Sequence, residues 1–352
     1  MFSGIGSASL GLRTAGFEVV AALDNDAKAC EIYERNFRVK PIVEDIRRVS
    51  GKRILATAGL KRGEVDLLVG CPPCQGFSSL GKTTHLKGSR DYRNSLVRIF
   101  SDRLAEIRPR FVVFENVPGM LHGSYRHYFS GLLARLKRLG YAFVMSETRL
   151  VEAADYGVPQ FRKRVVVLAT EKENASGLCM PERTHFPLKE IGEGKTRQLT
   201  VRDAIGDLPS LEAGETHANI PLHSAVQHSE KAMEIIRNIP KNGGSRTDLP
   251  KHLWLPCHKR LVGDGAESVY GRMRWNSPSP TITTRADTPS CGRFIHPEQD
   301  RGITLREAAR LQTIPDDFEL YGLKKYLNVW IGNAMPTLLG ETLGNHVAQF
   351  LT

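Results

Sequence analysis

Long apolar runs are missing from this chain: no stretch of its 352 residues approaches the roughly 20 consecutive apolar residues that a membrane-spanning helix needs. The first residues also lack the basic-then-apolar layout of a secretory signal, so the expected location is the cytoplasm, with no membrane association. Cysteine is scarce. Six residues, irregularly spaced at positions 30, 71, 74, 179, 257 and 291, do not form the framework of a small disulfide-stapled domain, and free thiols are expected. A second Cys-x-x-Cys unit is absent too, so no metal site is expected. There is no internal repeat and no low-complexity segment.

What is present is an ordinary globular composition, 41% hydrophobic, in a chain long enough to bury a sizeable core in more than one domain. The formal net charge of +11 favours a polyanionic partner. The excess is uneven: residues 1–182 carry 28 Lys and Arg against 19 Asp and Glu, and residues 183–300 carry 16 against 14. Scattered surface lysines produce the same balance in many proteins, so charge alone leaves nucleic acid an even proposition.

Residues 1–170 alternate short β-branched or apolar runs with amphipathic stretches. Strands are expected at 17–23, 65–70, 111–116, 142–148 and 164–170. Between them, "NSLVRIFSDRLAEI" places Leu96, Ile99, Phe100, Leu104 and Ile107 on one helical face, and "GLLARLKRLG" behaves similarly. This pattern predicts an α/β fold, a doubly wound, mostly parallel sheet of the Rossmann type with crossover helices. Beyond residue 182 the texture turns to Pro, Gly, His and Thr, and seven of the eleven histidines fall between 183 and 300, as in a second, smaller, loop-rich domain. Helical order returns at the capping box of Thr304 and Glu307, and a last helix is expected over 337–348. The division expected is 1–182, 183–325, and a segment 326–352 that rejoins the first part.

Ligands of an open parallel sheet gather beyond the carboxyl ends of its strands. Four polar signals fall there: the bend "FSGIG" (2–6), Asp24, the pair Cys71 and Cys74 in "GCPPCQGFS", and Glu115 with Asn116. A lone Gly-x-Gly is weak, and Asp24 reads equally as a helix cap. The Cys-x-x-Cys pair reads as a redox couple, half of a metal site, or one nucleophile beside a bystander.

The ordered set "FSGIGSASLGL", "GCPPCQGFS", "ENV" (115–117), "QFRKR" (160–164), "TLREAARLQTIP" (304–315) and "IGNAMP" (331–336) resembles the DNA cytosine-5 methyltransferases over nearly the whole chain. The resemblance implies S-adenosyl-L-methionine (SAM) as methyl donor, a flipped-out cytosine in a short duplex DNA sequence as substrate, and a target-recognition region between "QFRKR" and "TLREAARLQ". It implies that Cys74 adds to C6 of the base, because C5 is too poor a nucleophile unaided. It gives Glu115 the ring nitrogen N3, and Arg162 and Arg164 the O2 oxygen and a nearby phosphate. It carries Phe2, Gly4 and Gly6 to the methionine end of SAM, Asp24 to the ribose, Asp45 and Ile46 to the adenine, and Leu96 and Asn333 to the pocket wall. For DNA it implies Lys82, Lys87, Arg90 and Arg93 on a loop near phosphates, and Thr281, Thr283 and Arg285 near the target base. A monomer is expected, paired with a separately acting cognate restriction endonuclease or working alone.

Two positions depart from the family pattern. The apolar strand that precedes "FSG" in the family has no counterpart before Met1, so a shortened central strand is expected, and Ser7 stands where a third glycine is common. Cytosine-5 methylation of tRNA, and a non-catalytic chain that only binds DNA, are the alternatives.

Overall fold

A computed structural model describes residues 1–73, 95–256 and 268–351. The chain divides into two compact units: Met1–Ala153 with Lys163–Arg183 and Thr337–Thr352, and Ala154–Arg162 with Thr184–Pro336.

In the first unit the order is α1 (Ser7–Thr14), β1 (Leu23–Asp24), α2 (Ala27–Phe37), β2 (Ile42–Val43), α3 (Gly51–Ala58), β3 (Leu67–Gly70) and α4 (Leu96–Ile107). There follow β4 (Phe111–Asn116), α5 (Arg126–Arg138), β5 (Tyr141–Val144), β6 (Val151–Glu152) and β7 (Lys163–Glu171). Strands β3 and β4 pair in parallel across the α4 crossover, in the register Leu68↔Val112. All six residues of β4 are buried, which an apolar run without alternation requires of a strand covered on both faces. One face carries Leu68, Phe100, Leu104, Val112, Phe114, Leu132, Leu136 and Val167 in a single cluster.

The expected α/β fold is present, and its sheet is mixed: β3 and β4 are parallel, and β7 runs antiparallel between β4 and β5. The physical reason lies in the connection. A parallel neighbour needs a crossover of a dozen or more residues, usually helical, whereas the path from β5 to β7 holds only β6 and a short 3-10 turn at Ala153–Tyr156. The strand expected at 17–23 pairs only at Leu23 and Asp24, with β2, in a separate two-stranded parallel sheet. Residues 1–3 lie between the two sheets: the Met1 amino group donates to the Val69 carbonyl at 2.9 Å and Ser3 N to Leu23 O at 3.0 Å.

The last helix of this unit, Thr337–Ala348, packs against α1 with almost no side chain between them. A Cβ added at Gly11 would lie 2.2 Å from the Thr337 carbonyl oxygen, and one at Gly344 2.7 Å from Ala15 Cβ.

The second unit contains short elements joined by loops: β8 (His185–Phe186), β9 (Thr196–Arg197), α6 (Val201–Ile205), α7 (Glu230–Asn238), α8 (Leu305–Leu311) and α9 (Lys324–Asn333). Loops leave carbonyls without ladder partners, and buried carbonyls must find donors. Arginines supply them. The Arg272 side chain is fully buried and donates to the carbonyls of Ile236 (2.8 Å), Ile239 (3.0 Å), His296 (3.0 Å) and Gln299 (2.7 Å) and to the Asp300 carboxylate. Arg301 reaches Leu211 O and Gly302 O and forms a two-pronged pair with Glu307 at 2.9 and 2.7 Å. Glu307 is also the acceptor of the capping box that starts α8, with Thr304 N at 2.7 Å. Among the described residues no helix is long and apolar enough to cross a membrane.

Candidate active site

The first unit gathers polar groups at the carboxyl ends of β1 to β4. After β1, the Asp24 carboxylate accepts from Gly4 N at 2.8 Å and Asp26 N at 2.9 Å, so it ties the glycine bend to the start of α2. The helix cap is Asp26, which accepts from the amides of Lys28 and Ala29. Burial pushes the Asp24 pKa up, against the two amides that favour its charged form. Phe2, Gly4 and Gly6 all have positive φ, at 58°, 51° and 98°. At Gly6 a Cβ would lie 2.3 Å from the Phe37 ring, which requires glycine there; at Gly4 a Cβ would meet nothing within 4 Å, so that face of the backbone is open to a ligand. Phe2 packs against both apolar clusters of this unit.

Beside it, Asp45 follows β2 and caps the 3-10 turn Ile46–Arg48. Its carboxylate is held by Arg47, whose Nε lies 2.9 Å from Oδ1 and 3.0 Å from Oδ2, and that hydrogen bonding lowers its pKa. Ile46 and Leu96 are buried in one apolar cluster with Leu23 and Ile107. The bend, the buried acid and the apolar wall therefore fit a nucleoside with a charged tail.

At the end of β3, Cys71 and Pro72 lead toward Cys74, which lies outside the described residues, as do Lys82, Lys87, Arg90 and Arg93. Asn116, 1% exposed, fixes that approach: its Nδ2 donates to Pro72 O at 3.1 Å while its Oδ1 accepts from Val117 N at 2.9 Å. Burial, with the Glu115 carboxylate nearby, pushes the Cys71 thiol far up. A thiol held protonated is a poor nucleophile. One residue before Asn116, Glu115 Oε1 pairs with Arg164 Nε at 2.8 Å, both side chains about one-tenth exposed. The pair is set by the β4–β7 register, in which Glu115 faces Val166 and Asn116 faces Val165.

Arg162 belongs to the second unit and is 2% exposed. Its guanidinium donates to the carbonyls of Ile282 (3.0 Å), Gly332 (3.0 Å) and Ala334 (2.9 Å) and to Gln160 Oε1 (3.3 Å). Sequence reasoning gave no role to Gln160 or Gln312, yet they complete this buried knot. Gln160 Nε2 donates to Leu311 O and Gln312 Oε1, its Oε1 accepts from Ile282 N, and Gln312 Nε2 reaches Ile331 O at 2.6 Å. Only the recurrence of glutamine inside "PQFRKR" and "RLQTIP" marks them in the sequence.

Also in this unit, Thr281 Oγ1 donates to Phe161 O at 2.7 Å, and the Thr283 backbone lies against Gly332, where a Cβ would come within 2.3 Å. Arg285 is exposed, as is Asn333 at the end of α9. The structure thus brings together Phe2, Gly4, Gly6, Asp24, Asp45, Ile46, Leu96, Glu115 and Arg164 in one unit, and Arg162, Thr281, Thr283, Arg285 and Asn333 in the other.

A family model described as C-5 cytosine-specific DNA methylase matches residues 1–349. The type II methylase M.HgiDII of Herpetosiphon aurantiacus is 36% identical over 356 residues, covering 100% of this chain and 94% of that protein. The type II methyltransferase M1.HphI of Haemophilus parahaemolyticus is 32% identical, covering 100% and 86%. Among solved structures, a prophage-encoded DNA modification methyltransferase (E. coli) matches with a TM-score of 0.68 at 25% identity, covering 99% of this chain and 97% of that one. The Dnmt2 methyltransferase of S. pombe shares the fold, with a TM-score of 0.61 at 16% identity over 99% and 96%.

Proposed function

Because the chain belongs to the C-5 cytosine-specific DNA methylase family, we propose that it methylates a flipped-out cytosine within a short duplex sequence, with Cys74 as nucleophile and Glu115 and Arg164 on the ring edge. The enzyme is SAM-dependent. SAM, when bound, supplies an electrophilic methyl group on a sulfonium centre. Gly4 leaves the backbone open to its methionine portion while Gly6 seats the bend against Phe37, and Asp24 and Asp45, at the ends of the paired strands β1 and β2, take the ribose and adenine edges.

The observation that carries this reading is the Glu115–Arg164 pair with Asn116, the next residue along β4, hydrogen-bonded to the Pro72 carbonyl two residues before Cys74 in the sequence. The thiolate of Cys74 adds to C6, the electrons displaced toward N3 are met there by a proton shared with Glu115, and C5 becomes nucleophilic. Once C5 carries the methyl group, loss of its proton re-forms the C5–C6 double bond and expels the thiolate. Arg164 fixes the Glu115 carboxylate and offers its remaining donors to O2. Arg162 acts from the knot it forms with Gln160 and Gln312, holding the segment that carries Thr281 and Thr283. Extrusion of the base costs a few kcal/mol of stacking and pairing, which the pocket must offset.

The reading includes a monomer in the cytoplasm, with a cognate restriction endonuclease acting separately, as the type II designation of its relatives supports. Bisulfite sequencing of DNA from cells expressing the chain tests it. Protected cytosines in one sequence context are expected; fully converted DNA, with methyl transfer to tRNA or to no acceptor, would overturn it.

A further inference from the structure

Arg274 lies in a segment whose other members are fixed. On one side, Arg272 is spent on four carbonyls and Asp300, and Met273 N donates to Ile295 O at 2.9 Å. On the other, Trp275 N donates to Asn242 Oδ1 at 2.8 Å. Its ring is buried under the Arg202 guanidinium at 4.7 Å and meets His296 edge-on at 5.1 Å. Arg274 itself is exposed.

The turn beneath it is built from glycine. Gly243 has φ +116°, and a Cβ there would fall 2.3 Å from Arg274 Nε and 2.6 Å from its Cγ, so the arginine stem lies flat across the glycine face. Arg293 Nη1 holds the turn by its carbonyls, Gly243 O at 2.8 Å and Gly244 O at 3.0 Å. The surrounding cations are engaged: Lys241 and Arg272 with Asp300, Arg246 over the Trp254 ring at 5.4 Å, and Arg293 on the turn. Among the described residues Arg274 has neither a carboxylate nor a carbonyl partner, while each of the cations around it is already engaged.

From this geometry we infer that Arg274 is a specificity-determining residue that reads a guanine edge in the recognised DNA sequence, an inference that rests on the DNA-methylating function above. A phosphate is served by any mobile cation, whereas paired bonding to guanine O6 and N7 needs a planar fork at a set angle. Packing Nε and Cγ on Gly243 sets that angle before DNA arrives, so little side-chain freedom is lost on binding.

The test uses the full chain with SAM and a duplex library randomised around cytosine, read by bisulfite sequencing, for wild type, Arg274→Gln and Arg274→Lys, with thermal unfolding as the control for folding. Wild type is expected to require guanine at one position. Both variants should lose that preference by about 10- to 100-fold while other positions keep theirs, the span of one bidentate base contact. Retained guanine preference in Arg274→Gln would overturn the inference. So would full rescue by Arg274→Lys, or a uniform rate loss over all contexts, since either marks a phosphate contact. A wild-type chain that methylates no member of the library would instead refute the DNA-methylating function beneath it.

Discussion

Acidification should loosen the second unit through one histidine. His296 is 2% exposed, and its Nδ1 accepts from the backbone amides of Glu298 at 3.2 Å and Gln299 at 3.0 Å, so the ring must be neutral with its proton on Nε2. Burial depresses its pKa from 6.5 to about 4, more than the Glu307 carboxylate, 4.0 Å from Nε2, raises it. Between those values the unfolded chain binds a proton that the folded chain refuses, so stability is complete above about pH 6.5 and falls as pH drops toward about 4. Each tenfold change in proton affinity is about 1.4 kcal/mol, which makes the loss about 3 kcal/mol across the window. His228 and His185 are also depressed by burial and add to the slope, while the carboxylates lowered by arginines, among them Glu307 and Asp316, act below it. Denaturant unfolding followed by tryptophan fluorescence reads this unit selectively, because Trp254, Trp275 and Trp330 all belong to it. His296→Asn keeps an acceptor for the two amides and cannot titrate. The difference between wild type and variant should therefore shrink the acid slope by about 3 kcal/mol, and identical slopes would refute the argument.

Glu115→Gln should lower the single-turnover rate of methyl transfer by about 10²- to 10⁴-fold with the fold retained, and a wild-type rate would remove Glu115 from the mechanism. Gly11→Ala forces α1 away from the Thr337–Ala348 helix, where a Cβ would lie 2.2 Å from a carbonyl oxygen. It should cost about 1–3 kcal/mol in thermal stability and weaken SAM binding measured by calorimetry; unchanged affinity would separate the helix contact from the cofactor bend. Arg272→Met strands four buried carbonyls and Asp300, and urea titration should show a loss of about 3–5 kcal/mol.

Where local chemistry decides structure, the sequence was a sufficient guide. The run at 111–116 is β4, the last helix covers 337–348, and the Thr304–Glu307 box starts α8. The direction of β7 was not legible, because periodicity marks a strand and not its partner; nor was the reduction of 17–23 to two paired residues. The loop-rich unit carries no period at all. Its arginines read as basic surface in a list of residues, yet Arg162, Arg272, Arg301 and Arg306 are each at most 2% exposed and bind carbonyls and carboxylates of the protein. Much of the arginine content of this unit is therefore internal scaffolding. Glu115 and Asn116 were legible as polar residues closing an apolar run, because they end β4. The knot of Gln160, Arg162 and Gln312 joins segments about 150 residues apart, a pairing that only the folded chain reveals.

Covalent capture tests the central claim most directly. Incubated with SAM and duplex DNA carrying 5-fluorocytosine in its recognised sequence, the wild-type chain and Cys71→Ser should each yield an adduct, because fluorine blocks the proton loss that frees the thiol. Cys74→Ser should yield none. An adduct formed by Cys74→Ser, or its absence from the wild-type chain while methyl transfer to ordinary duplex proceeds, would contradict nucleophilic attack by Cys74.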